Sequence, residues 1–191
     1  MRSFRALETR SAVLIYGGLI LLSVISDWFY RGNPIGAWQA FGSPRHFSSW
    51  IFAFTFLGIY TVVMIFTTSF TRWGLEIERV LQQVLSPLSY FQILMLAIVS
   101  GVVEEWFFRG VLLPHFGLFI SSVAFALMHF LPGGKLWTWS VCSFFTGLAL
   151  GLIFQSSQSL FLVAMIHTGI NLFVLLKINQ SAHRAATSSG F

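Results

Sequence analysis

Apolar residues run along the chain in long blocks, with polar residues gathered between them. Six blocks stand out, at about 12–30, 47–70, 88–113, 118–131, 136–154 and 159–178. Stretches of about 18 apolar residues are long enough to cross a bilayer core as helix. The breaks have their own chemistry. "RGNPIG" and "GSPR" part the first two blocks, and Pro87 opens the third, where a missing N–H costs little. "PHFG", Pro114 to Gly117, is expected to stop and turn the third helix, because proline disfavours helix in the residue before it. "PGGK" ends the fourth block, and the serines of "QSSQS" can cap the last helix.

Residues 71–87 follow another rhythm. Trp73, Leu75, Ile77, Val80 and Leu81 alternate with polar positions behind a charged front, the pattern of a helix lying in the membrane interface. The whole predicts an all-α, polytopic membrane helical bundle of about six transmembrane helices. It forms one domain over 1–191, with a polar, flexible tail at 179–191.

Composition agrees. Of 191 residues, 56% are hydrophobic and 9% charged, with a mean hydropathy of +0.80. Soluble domains carry about 25% charged residues, so a water-facing shell cannot be built. The lipid bilayer is therefore the expected surrounding. The net charge of +5 is no nucleic-acid signal, since the basic residues are scattered over connections and ends. With the N-terminus in the cytoplasm, Arg2, Arg5, Arg10, Arg72, Arg79, Lys135, Lys177 and Arg184 face inward, and Arg31 and Arg45 outward. That excess predicts both termini inside. The opening "MRSFRALETRSAVLIYGGLILLSVISDW" resembles a signal peptide but lacks a small-x-small site, so a retained first helix is expected. Cys142 is the single cysteine; it excludes an intrachain disulfide and reads as a buried, inert thiol.

Three polar clusters interrupt the apolar helices: Glu104/Glu105/Arg109, His129, and His167/Asn171. At ~1.5 Å per residue, Glu104 lies ~13 Å and His129 ~16 Å from the turn after Pro114. His167 lies ~11 Å down the last helix, so all three share a depth within one helical turn. Glu105 and Arg109 are four apart and can pair along the helix, while Glu104 points ~100° away toward a cavity. Phe125 shares a face with His129, and His167 with Asn171. Asp27, near a helix end, is expected to reach the interface, and His115 to be a solvated turn residue.

These groups suit hydrolysis by water. Glu104 can take a proton from water, and His129 can orient that water or relay the proton. His167 and the Asn171 amide can donate to an oxygen that turns negative during acyl transfer. Intramembrane charges also lock helices together, which is the reading for Glu105–Arg109. No GxSxG motif occurs, and Cys142 has no identifiable base.

"EEWFFR" (Glu104 to Arg109) fits EExxxR, "FALMH" (Phe125 to His129) fits FxxxH, and "HTGIN" (His167 to Asn171) fits HxxxN. In this order they resemble the CPBP family (CAAX proteases and bacteriocin-processing enzymes, also called Abi) over a core at about 85–178. The resemblance implies an intramembrane endopeptidase acting on a membrane-anchored protein or peptide substrate. In it Glu104 activates water, His129 assists, and His167 with Asn171 forms the oxyanion site. It also implies a multi-pass protein, with a bacterial inner (cytoplasmic) membrane as the expected location. Only two spans precede the core, so prenyl-protein specificity is not carried over.

Glu104, His129 and His167 would be the ligands if the site held Zn2+. No HExxH pair is present, and metal-free, glutamate-based catalysis without a cofactor is the favoured expectation. A non-enzymatic reading remains beside it: a proton-coupled carrier or a bacteriocin-immunity scaffold using the same buried groups. A carrier would show paired halves with interrupted helices, which the sequence lacks. The oligomeric state is not encoded in any motif.

Overall fold

The computed structural model describes the backbone of residues 2–44, 46–85, 88–130 and 137–188. Side chains are described for residues 12–44, 46–67, 69–82, 88–130 and 137–181. Helix α1 spans Arg2–Arg31, and a short 3-10 segment follows at Gly36–Ala40. Then come α2 at Phe47–Phe70, α3 at Arg72–Leu85 and α4 at Tyr90–Glu105. A π-helical segment, Trp106–Leu112, leads into α5 at Leu113–Met128. Helices α6, Trp137–Ser157, and α7, Leu160–Ser188, complete the bundle. No strand occurs among the described residues.

Among the described residues, five stretches are long and apolar enough to cross a membrane: Ala12–Arg31, Phe47–Thr67, Tyr90–Met128, Trp137–Ser157 and Leu160–Ser181. The third has 39 residues. As a straight rod it would measure ~58 Å, almost twice a bilayer core of ~30 Å. It is not straight. The rings of Phe108 and Phe125 lie 5.1 Å apart, and Ser121 Oγ donates to the Phe108 carbonyl at 2.8 Å. Along a continuous helix these two phenylalanines would be ~25 Å apart. The stretch is a hairpin, and its second limb, residues 118–128, measures ~16 Å, about half of a bilayer core, so five candidate spans stand where about six are expected.

The reversal differs from the expectation at Pro114. The chain stays helical through this proline, and the break falls at Gly117, with φ 81° and ψ 170°. Pro114 sits in the first turn of α5, where a missing N–H costs little, and the Gly110 carbonyl four residues back accepts from Arg31 Nη2 at 2.7 Å instead. Glycine alone adopts such a φ without a Cβ penalty, so it sets the turn.

Packing serves the interior. Helix α4 lies along α7, and α5 along α6. A Cβ on Gly101 would come within 2.7 Å of the Thr168 backbone nitrogen, so glycine lets α4 and α7 touch at backbone distance. Ser89 and Gln92 form a reciprocal capping box at the start of α4. Ser159 Oγ accepts from Leu162 N at 3.1 Å, capping α7 as expected. The interfacial segment is a docked helix: Ile77 and Leu81 of α3 bury against Ile178, while Trp73 and Leu75 stay exposed. Glu78 accepts from Lys177 Nζ at 3.1 Å and ties α3 to α7.

Two expectations are corrected. Helix α7 runs past residue 178 to Ser188, into the stretch expected as a flexible tail. Asn179 is buried there and accepts from Leu88 N at 3.1 Å, which anchors the extension. Asp27 does not reach the interface; it is fully buried. It pairs with Arg31 and accepts from Ala37 N at 3.0 Å and from the Trp106 indole N–H at 3.2 Å. The 3-10 segment folds its N–H groups back over the end of α1, so the carboxylate finds protein donors in place of water. Pro87, the "PGGK" turn with Lys135, Arg45, and the side chains of Arg2, Arg5, Arg10 and Arg184 lie outside the described residues.

Candidate active site

Glu104 and Glu105 close α4, just where the backbone widens into the π-helical segment that carries Arg109. Such widenings concentrate at functional sites. Both carboxylates are buried. Their side chains leave the helix in different directions, as the ~100° step requires.

Glu105 Oε1 accepts from Arg109 Nη1 at 2.6 Å and from His167 Nδ1 at 2.7 Å. Arg109 Nη2 donates to the Gly147 carbonyl at 3.0 Å, and its guanidinium carbon stands 4.7 Å from the Phe125 ring centroid. This arginine is 1% exposed, so its charge persists there only because a carboxylate, a carbonyl and a π-face surround it.

Glu104 is held differently. Its Oε1 accepts from the Tyr16 hydroxyl at 3.3 Å. Its Oε2 is buried and makes no hydrogen bond among the described residues, as is also true of Glu105 Oε2, but only the Glu104 oxygen faces both imidazoles. That oxygen lies 3.9 Å from His129 Nε2 and 3.9 Å from His167 Nε2. Three helices thus bring these groups to one point, at the common depth that helical rise predicts.

The partners of each imidazole set its tautomer. His129 ends α5, and its Nδ1 lies 2.8 Å from the Phe125 carbonyl, which can only accept. His167 Nδ1 meets the Glu105 carboxylate in the same way. Both rings therefore keep their proton on Nδ1 when neutral, and both Nε2 lone pairs face Glu104 Oε2. Phe125 touches both rings, tilted at 4.5 Å from the His129 ring and edge-to-face at 5.6 Å from the His167 ring. His129 is only partly buried, so the cluster opens on its side.

Asn171 sits apart from that point. Its Nδ2 donates to Ser100 Oγ at 2.8 Å, and Ser100 lies one turn before Glu104 on α4. An amide nitrogen has a second hydrogen, which this bond does not use. His115 is exposed and stacks on Tyr30 at 4.0 Å, away from the cluster.

Glu104, His129 and His167 are also the zinc candidates. Tetrahedral zinc with bonds of ~2.0–2.1 Å holds ligand atoms roughly 3.3 Å apart. The observed 3.9 Å separations from Glu104 are wider than that. No group of three His, Cys, Asp or Glu side chains among the described residues is arranged to hold a metal ion.

Residues 86–173 match a protein-family model, that of the type II CAAX prenyl endopeptidases described as Rce1-like. This part of the chain is similar to the Rce1-like family. The Rce1-like segment contains Glu104, Glu105, Arg109, Phe125, His129, His167 and Asn171, in agreement with the CPBP resemblance of the three motifs. No curated protein and no solved structure matches the chain.

Sequence reasoning missed Tyr16 and Ser100, and the second bond of Glu105, to His167. Ser100 carried a faint signal as a small polar residue one turn before the doublet. Tyr16 lies outside the Rce1-like segment, and helix periodicity within α1 alone gives it no partner.

Proposed function

We propose that the chain is a CAAX-type intramembrane endopeptidase that hydrolyses a peptide bond of a membrane-anchored protein or peptide, using water activated by Glu104. One observation carries this reading: the unbonded Glu104 Oε2 faces two imidazole nitrogens at 3.9 Å each. A water among them donates one proton to Oε2 and the other to an Nε2, leaving its lone pair for the substrate carbonyl carbon. The oxygen–carbon bond forms as Glu104 takes the proton. The C–N bond then breaks as Glu104 returns that proton to the leaving amine. Asn171, with its second amide hydrogen, is the proposed donor to the oxyanion between these steps; the His167 ring proton is spent on Glu105, so its Nε2 can only accept.

Metal-free catalysis is part of the proposal, supported by the wide spacing of the three acceptors. The Rce1-like match and the apolar spans support a substrate presented from the bilayer. The test uses purified full-length protein in detergent and a fluorescent peptide with an apolar C-terminal anchor. Glu104→Gln keeps shape and removes the base, so cleavage should vanish. Equal cleavage by that variant would sink the glutamate mechanism and favour a non-enzymatic role for the cluster. Metal content is measured on the same active preparation. Activity should survive chelation, and a stoichiometric zinc lost together with turnover would replace the metal-free reading.

A further inference from the structure

The Rce1-like segment begins at residue 86, yet a residue far upstream binds its central carboxylate. Tyr16, on α1, donates to Glu104 Oε1 at 3.3 Å. The same hydroxyl lies beside Ser100, whose Oγ takes the Asn171 amide at 2.8 Å. One phenol therefore stands between the proposed base and the proposed oxyanion donor.

The surroundings of Tyr16 argue against packing as its purpose. Residues 12–22 read "AVLIYGGLILL", in which the phenol supplies the only polar side-chain atom. Its neighbours Val13, Leu14 and Ile15 are 65%, 75% and 52% exposed, as expected of a lipid-facing helix. A leucine or phenylalanine would serve such a face equally well. A hydroxyl directed at a buried carboxylate serves a different need.

That need is orientation. The terminal torsion of a glutamate is broad and roughly two-fold, so a carboxylate held at neither oxygen can present either one. We infer that Tyr16 is a positioning residue of the active site: its hydroxyl holds Glu104 by Oε1 and so presents Oε2 to the water between His129 and His167. The first transmembrane helix is then part of the catalytic assembly, although it lies outside the family-matched segment. The inference rests on the reading of Glu104 as the base that activates water.

The experiment compares Tyr16→Phe, Tyr16→Leu and Glu104→Gln in the full-length protein, with the fluorescent anchored peptide described above. Turnover is counted per folded molecule, from a thermal melt of the same fraction, so lower yield alone does not register. For Tyr16→Phe, kcat should fall about ten-fold or more, with KM within about two-fold and the melting temperature unchanged, as expected for one lost hydrogen bond to a charged group. Tyr16→Leu should lose at least as much kcat. Full kcat in Tyr16→Phe overturns the inference, whether or not the leucine variant is impaired, because the ring alone would then suffice. Glu104→Gln separates the two levels. If it is inactive while Tyr16→Phe runs at full speed, only the role of Tyr16 fails; if it is active, the water-activation reading falls and this inference falls with it.

Discussion

Asp27 and Glu104 are both carboxylates sealed inside a membrane bundle, and they are treated in opposite ways. Asp27 is met by Arg31, by the Ala37 N–H and by the Trp106 indole. Arg31 also donates to the Gly110 carbonyl at 2.7 Å, so the cluster clamps α1 and the 3-10 segment onto the π-helical turn. Glu104 has one donor on Oε1 and none on Oε2 among the described residues. Burial is nearly the same, at 0% and 4% exposure, so burial does not separate them. Filled acceptor positions do. A carboxylate with both oxygens met by protein donors holds structure together, whereas an oxygen without one is free to accept from a water.

The sharpest way to break this contrast is Glu104→Gln, for which turnover should drop about 10^3-fold. The melting temperature should barely move, because the amide oxygen can keep the Tyr16 bond. A large loss of folded protein instead would make Glu104 a structural group like Asp27. Next in size is Asp27→Ala, which takes the carboxylate from Arg31 and unties the Trp106 indole beside Glu105. Arg31 is partly exposed and keeps the Gly110 carbonyl, so the cost falls short of the ~3–5 kcal/mol of a fully buried pair, yet folded yield and thermal stability should fall well before turnover per folded molecule does. Normal stability with abolished turnover would move Asp27 into the catalytic machinery. The smallest effect is expected at the interface, where Lys177→Met removes the bond to Glu78. A partly exposed pair of this kind contributes under about 1 kcal/mol, so a melting shift no larger than a few degrees should result. A collapse of the fold would show that α3 is held by this pair and not by Ile77 and Leu81.

Much of the site was legible before the fold, and the reason is geometric. Helical rise alone placed Glu104, His129 and His167 at one depth, because lipid forces each span to be helical throughout. The ~100° step divided the doublet into a paired Glu105 and an open Glu104. What periodicity could not supply was which partner comes from another helix. His167 spends its Nδ1 on Glu105, Asn171 spends an amide hydrogen on Ser100, and Tyr16 arrives from α1. Asp27 was misjudged for the same reason: its donors come from an adjoining turn and a distant tryptophan.

By itself the chain of residues determined the solvent, the all-helical class and the identity of the hydrophilic groups within the helices. Apolar run length and the cost of unpaired backbone in lipid leave little choice in those matters. Only the tertiary structure decided where the hairpin turns, which carboxylate faces both imidazoles, and which helix outside the Rce1-like segment reaches the cluster. Those outcomes depend on helix rotation and on contacts between segments far apart in sequence, and no local propensity specifies either.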